Sequence, residues 1–215
     1  VFIQSGAILA VVVLFWRALW PFTGTREERR NKWLLWAKTS VAFIPTAVAG
    51  LFLHRFIITY LFNPVTVGLA LIVYGMVLIQ LERHHRTPSD ALHAMDGLTF
   101  RTAFQIGLIQ CLALIPGTSR SAATILGGMA MGLDRTLAAE FSFFLSIPTI
   151  AAAGFFQLFE TGIAFSPTEY LMLGTGFSVS FLVAAAVIQW LMRYLKHHSF
   201  TPFGWYRIAL GLVVL

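Results

Sequence analysis

The stretch Leu112–Gly128, LALIPGTSRSAATILGG, places an arginine between two serines inside an otherwise apolar run. Burying a guanidinium is costly, so Arg120 needs a compensating partner. Proline followed by glycine at 116–117 ends one helical run, and the hydroxyls at 118 and 119 are suited to cap the next. The apolar pieces on either side are about 15 residues each. At about 1.5 Å per residue each covers about 22 Å, too little for a hydrocarbon core of about 30 Å. The pattern predicts a re-entrant helical hairpin at about 102–133. Its open backbone is tolerable only against protein or a watery cavity.

The rest of the chain supplies the membrane context. Of 215 residues, 58% are hydrophobic and 11% charged, against roughly 25% charged in soluble domains. Six segments approach the length of a span: 2–20, 33–53, 64–81, 136–159, 169–192 and 202–215. The expected fold is therefore an all-α integral membrane protein, a single polytopic domain over 1–215 with six transmembrane helices plus the hairpin. The chain carries a formal charge of +6. In this composition the basic residues belong in cytoplasmic loops, and no nucleic-acid partner is expected. Loops 21–32, 82–101 and 193–201 hold nine Lys and Arg residues, whereas 54–63 and 160–168 hold only Arg55. The first three loops are predicted to be cytoplasmic, with both ends of the sequence outside. The sequence opens on Val1 without a basic leader, and is expected to begin partway through a longer protein.

At the break, the first amides of the second half-helix lack intrahelical partners and carry the positive end of the dipole. Arg120 adds a planar fork that matches phosphate oxygens. Gly117 permits close backbone approach, and Thr118, Ser119, Ser121 and Thr124 offer hydroxyl donors. Gln110, one turn earlier, is a further candidate for the same pocket. The set favours a phosphate or diphosphate. The competing reading is structural: Arg120 pairs with Glu140, and the hydroxyls only cap a helix. Elsewhere, His84-His85 and His197-His198 read as interfacial rather than metal-binding. Pro45 and Pro148 read as mid-span kinks. Cys111 reads as a small core residue, and Arg207, with no acidic neighbour in sequence, snorkels or pairs across the bundle.

The run GLIQCLALIPGTSRSAATILGGMAMGLDRTLAAEFSFFLSIP resembles the C-terminal signature of the undecaprenyl-diphosphate phosphatases, a bacterial family linked to bacitracin resistance. The family pattern P-G-x-S-R-S-G-x-T-I is met at Pro116, Gly117, Ser119, Arg120, Ser121, Thr124 and Ile125. It departs at Ala122, where the family has glycine, adding a methyl in a tight spot. VFIQSGAILAVVVLFWRAL and SFTPFGWYRIALG resemble the family's first and last full spans.

The resemblance implies six spans with two hairpins in inverted repeats, entering from opposite faces. It implies hydrolysis of undecaprenyl diphosphate to undecaprenyl phosphate in the bacterial plasma membrane, recycling the cell-wall carrier lipid. Arg120 and Ser119 are implied as catalytic, and Gly117, Thr118, Ser121, Thr124 and Gln110 as substrate-binding. The family's other hairpin supplies acidic residues and a serine for a divalent cation, Mg or Ca. That segment is not found within 1–215, so residues 1–215 by themselves are expected to carry only the arginine side of the site and to have little activity without it. A homodimer is among the expected assemblies. Two alternatives stay open: a polyprenyl-phosphate or solute transporter of the same architecture, and a lipid-binding scaffold without chemistry.

Overall fold

Apolar runs punctuated by caps and prolines become helices. The computed structural model describes residues 2–84, 95–161 and 166–215, and among these there is no strand. The elements are α1 (Phe2–Leu14), α2 (Trp16–Leu19), α3 (Arg26–Phe56), α4 (Pro64–His84), α5 (Phe100–Gln110), α6 (Arg120–Ala130), α7 (Arg135–Thr161), α8 (Pro167–Leu195) and α9 (Thr201–Val214). Capping boxes open α3 at Thr25 with Glu28, and α8 at Ser166 with Glu169, each satisfying amides that the first turn leaves free. Pro45 and Pro148 both lie inside continuous helices.

Among the described residues four helices are long and apolar enough to cross a membrane: Arg26–Leu61, Pro64–His84, Arg135–Gln157 and Thr168–Leu195. The expected spans at 2–20 and 202–215 are shorter as helices. The first is interrupted at Phe15, whose ψ of 20° leaves the helical region, and the chain resumes as the four residues of α2. Hydropathy alone does not register such an interruption, because Phe15 and Trp16 are as apolar as their neighbours.

α1 packs on α8 and α4 on α9, with α3, α5, α6 and α7 forming the middle. Its fully buried side chains include Ile106, Leu133, Phe141, Phe144 and Leu145. The α4–α9 contact is made by glycines seven residues apart on both helices. A Cβ on Gly75 would stand 2.7 Å from the Gly204 carbonyl oxygen, and one on Gly211 would stand 2.7 Å from that of Gly68. Small residues at this spacing let two backbones touch. That close pair is the wall against which the break at 115–119 rests.

Candidate anion site at the helical break

α5 ends in a short 3-10 turn, Cys111–Leu114, and the chain then leaves helical geometry until α6 begins at Arg120. The two short helices pack on each other, so a helix–break–helix unit exists where the sequence predicts one. Gly117 sits at φ +94°, and a Cβ there would lie 2.6 Å from the Val67 carbonyl oxygen on α4. Only glycine meets both demands without strain. Ser119 caps α6 from φ 67°, the one non-glycine residue with positive φ among those described. Its Oγ accepts from the Ala122 amide at 3.4 Å and lies 3.2 Å from the Ser121 Oγ. A serine held in that region stores on the order of 1–3 kcal/mol.

Among the described residues, the Ser119, Arg120 and Ser121 amides have no hydrogen-bond acceptor. They open the 11-residue α6, whose Ala122 amide alone is capped by the Ser119 Oγ, so these amides at its positive end stay free among the described residues. Arg120 is half-buried, and its one side-chain hydrogen bond among the described residues runs from Nη1 to the Ser142 carbonyl on α7, at 3.1 Å. The pairing with Glu140 does not form. On a helix, residues two apart point about 200° away from each other. The face of α7 that brings Ser142 to Arg120 therefore turns Glu140 elsewhere. Glu140 lines a cavity of about 280 Å³ that also includes Arg193 of α8 and Lys196, the residue that caps its end.

The other candidate residues divide into open and closed. Ser119 is exposed, and Ser121 is half-buried. Thr118 and Thr124 are buried, and their hydroxyls face the protein. Thr118 donates to the Leu112 and Ile115 carbonyls at 3.0 and 2.7 Å, bracing the turn from inside. Thr124 Oγ1 meets the Ser142 Oγ at 2.6 Å and donates to the carbonyls of Arg120 and Ser121. Gln110 is 0% exposed, and its Nε2 donates to the Thr46 Oγ1 at 2.9 Å on α3. Ala122 is half-buried and lies inside α6 without a positive φ, so alanine is conformationally at ease where the family pattern has glycine.

A family model for the bacitracin resistance protein BacA matches residues 1–213. The chain belongs to the BacA family. It is 46% identical over 217 residues to the undecaprenyl-diphosphatase of Lacticaseibacillus casei (strain BL23), covering 99% of this chain and 80% of the relative. It is 42% identical over 219 residues to that of Enterococcus faecalis, covering 100% of this chain and 79% of the relative. Against the undecaprenyl-diphosphatase of Fusobacterium nucleatum subsp. nucleatum the identity is 45%, over 100% of this chain and 82% of the relative.

At this BacA-family break sequence reasoning misses Ser142, and it leaves Arg207 between snorkelling and pairing across the bundle. Ser142 supplies both a carbonyl to Arg120 and a hydroxyl to Thr124. The available signal was a small polar pair, Ser142 and Ser146, one turn apart in an apolar helix. Arg207 of α9 crosses the bundle to the break and donates from Nη2 to the carbonyls of Gly117 and Thr118, at 2.7 and 2.9 Å.

The donor set at the break, made of amides, guanidinium and hydroxyls, suits an anion and not a divalent cation. Among the described residues no three His, Cys, Asp or Glu side chains group as metal ligands. In the two histidine pairs, His84 and His198 each lie with Nδ1 against a carbonyl of their own chain turn, at 2.9 and 3.1 Å, and His85 lies outside the described residues.

Proposed function

We propose that this chain hydrolyses undecaprenyl diphosphate to undecaprenyl phosphate and phosphate, and that the break at 115–121 holds the diphosphate. One observation supports this above all: Arg120 lies half-buried at a helix N-terminus with no carboxylate partner among the described residues. An arginine in an apolar setting without a counter-charge is a site for one. The relatives named undecaprenyl-diphosphatase support the same substrate. In this reading Arg120 and the free amides at 119–121 take the phosphoryl oxygens, and charge developing in the transition state strengthens those contacts. Ser119 and Ser121 present hydroxyls to the same oxygens, while Thr118 and Thr124 hold the shape of the turn. The reading includes a divalent cation, Mg or Ca, with its ligands expected mostly in the acidic hairpin that the family resemblance implies, since no three His, Cys, Asp or Glu side chains group together among the described residues.

The test is phosphate release. The full-length protein in detergent is expected to liberate inorganic phosphate from undecaprenyl diphosphate. Binding without release would favour a scaffold, and movement of lipid across a liposome without release would favour a transporter.

The proposal includes six spans with a re-entrant hairpin, a place in the bacterial plasma membrane, cytoplasmic loops at 21–32, 82–101 and 193–201, and a homodimer. The nine-to-one basic count supports that orientation. In a Cys111→Ala background, a cysteine at Ser166 is expected to react with an impermeant thiol reagent in intact cells. A cysteine at Arg29 should react only after permeabilisation. The reverse pattern would invert the topology.

A further inference from the structure

Arg207 stands between the two glycines that seat α9 on α4, and reaches the break from that wall. Its Nη2 group bonds two consecutive carbonyls, those of Gly117 and Thr118. A carbonyl and the following amide belong to one planar unit, and in the trans form they point in opposite directions. No described peptide is cis. Drawing the Gly117 carbonyl toward α9 therefore turns the Thr118 amide away, where it bonds the Ile115 carbonyl at 3.2 Å. Drawing the Thr118 carbonyl the same way turns the Ser119 amide outward, and that amide has no partner among the described residues. It belongs to the exposed Ser119, held at φ 67°. A cation on the carbonyl side also polarises the peptide and makes its N–H the stronger donor.

We infer that Arg207 is a positioning residue for the reaction: it acts through the Thr118–Ser119 peptide, aiming the Ser119 amide and fixing the strained cap that carries Arg120. The inference rests on the hydrolase reading above and extends it to a residue 87 positions away in sequence from Arg120. Arg207 need not touch the diphosphate. Its effect lies in the geometry of donors that tighten on the transition state, so it belongs in kcat and not in KM.

The experiment uses the full-length protein in detergent with undecaprenyl diphosphate, and compares wild type, Arg207→Met and Arg207→Lys. Melting temperature is read alongside kcat and KM per folded molecule. Arg207→Met keeps the length of the side chain and removes every donor. Its kcat is expected to fall roughly tenfold with KM nearly unchanged, less than the loss from deleting a transition-state donor outright. Arg207→Lys, able to bond one carbonyl at a time, should recover part of the loss. Unchanged kcat in folded Arg207→Met would overturn the inference. So would a loss carried by KM alone, which would make Arg207 a direct substrate contact. Failure of both variants to fold would also overturn it, leaving a purely structural role. Wild-type protein that releases no phosphate overturns the hydrolase reading, and this assignment with it.

Discussion

Arg120→Lys in the full-length protein is expected to lose about a hundredfold in phosphate release per folded molecule while melting close to wild type. The protein uses one guanidinium nitrogen, Nη1, to hold the Ser142 carbonyl, and leaves the rest of the fork for a ligand. Lysine keeps a charge but concentrates it at a single ammonium, which cannot grip the helix partner and two phosphoryl oxygens together. Losing a bidentate, charge-assisted contact in the transition state costs on the order of 3 kcal/mol, which is about a hundredfold in rate. Ser119→Ala should cost less, since it removes one neutral donor beside amides that remain. Thr124→Ala should act mainly on stability, because its hydroxyl is spent on Ser142 and on two carbonyls. Near-normal turnover in a folded Arg120→Lys protein would remove Arg120 from the site. A fall in melting temperature that accounts for all the lost activity would return it to a structural role.

The break was readable in the sequence because its causes are local. Proline ends a helix by lacking an N–H, and glycine takes the positive φ that Gly117 adopts. The hydroxyl cluster was readable as composition but not as direction. Thr118 and Thr124 have the same donors as Ser119, yet their rotamers return the hydrogen to backbone, a choice set by neighbours that the spacing does not encode. The same limit explains Glu140. Proximity in sequence made it the obvious partner for Arg120, whereas the rotation of α7 about its axis decides which side chain arrives, and Ser142 arrives. Arg207 was harder still. Its partners are carbonyl oxygens, present at every residue and therefore without a signature. At the N-terminal end, hydropathy joined what the backbone divides at Phe15.

A second large effect is expected far from the break, and on stability instead of turnover. Glu82, near the end of α4, has a side chain only 2% exposed. It accepts from Arg135 Nε at 3.0 Å to both carboxylate oxygens and from Nη2 at 2.8 Å, and from the Phe200 amide at 3.0 Å. One carboxylate thus ties α4 to the start of α7 and to the turn between α8 and α9. Burying an ion pair brings little net gain over an apolar substitute, but breaking one leaves the surviving charge without its partner. Glu82→Ala would strand Arg135 and the Phe200 amide together. The expected cost is about 3 kcal/mol, a substantial part of a typical total of roughly 5–15 kcal/mol. Glu82→Gln should cost less, since its carbonyl oxygen still accepts from Phe200 while the charge is lost. Turnover per folded molecule should stay within about twofold of wild type on geometric grounds. Val67, where α4 meets Gly117, is about 22 Å along the helix from Glu82 at the standard rise. The check is a detergent melting curve for each variant beside phosphate release normalised to folded protein. A folded Glu82→Ala protein with unchanged melting and lost turnover would move this carboxylate from the brace into the chemistry.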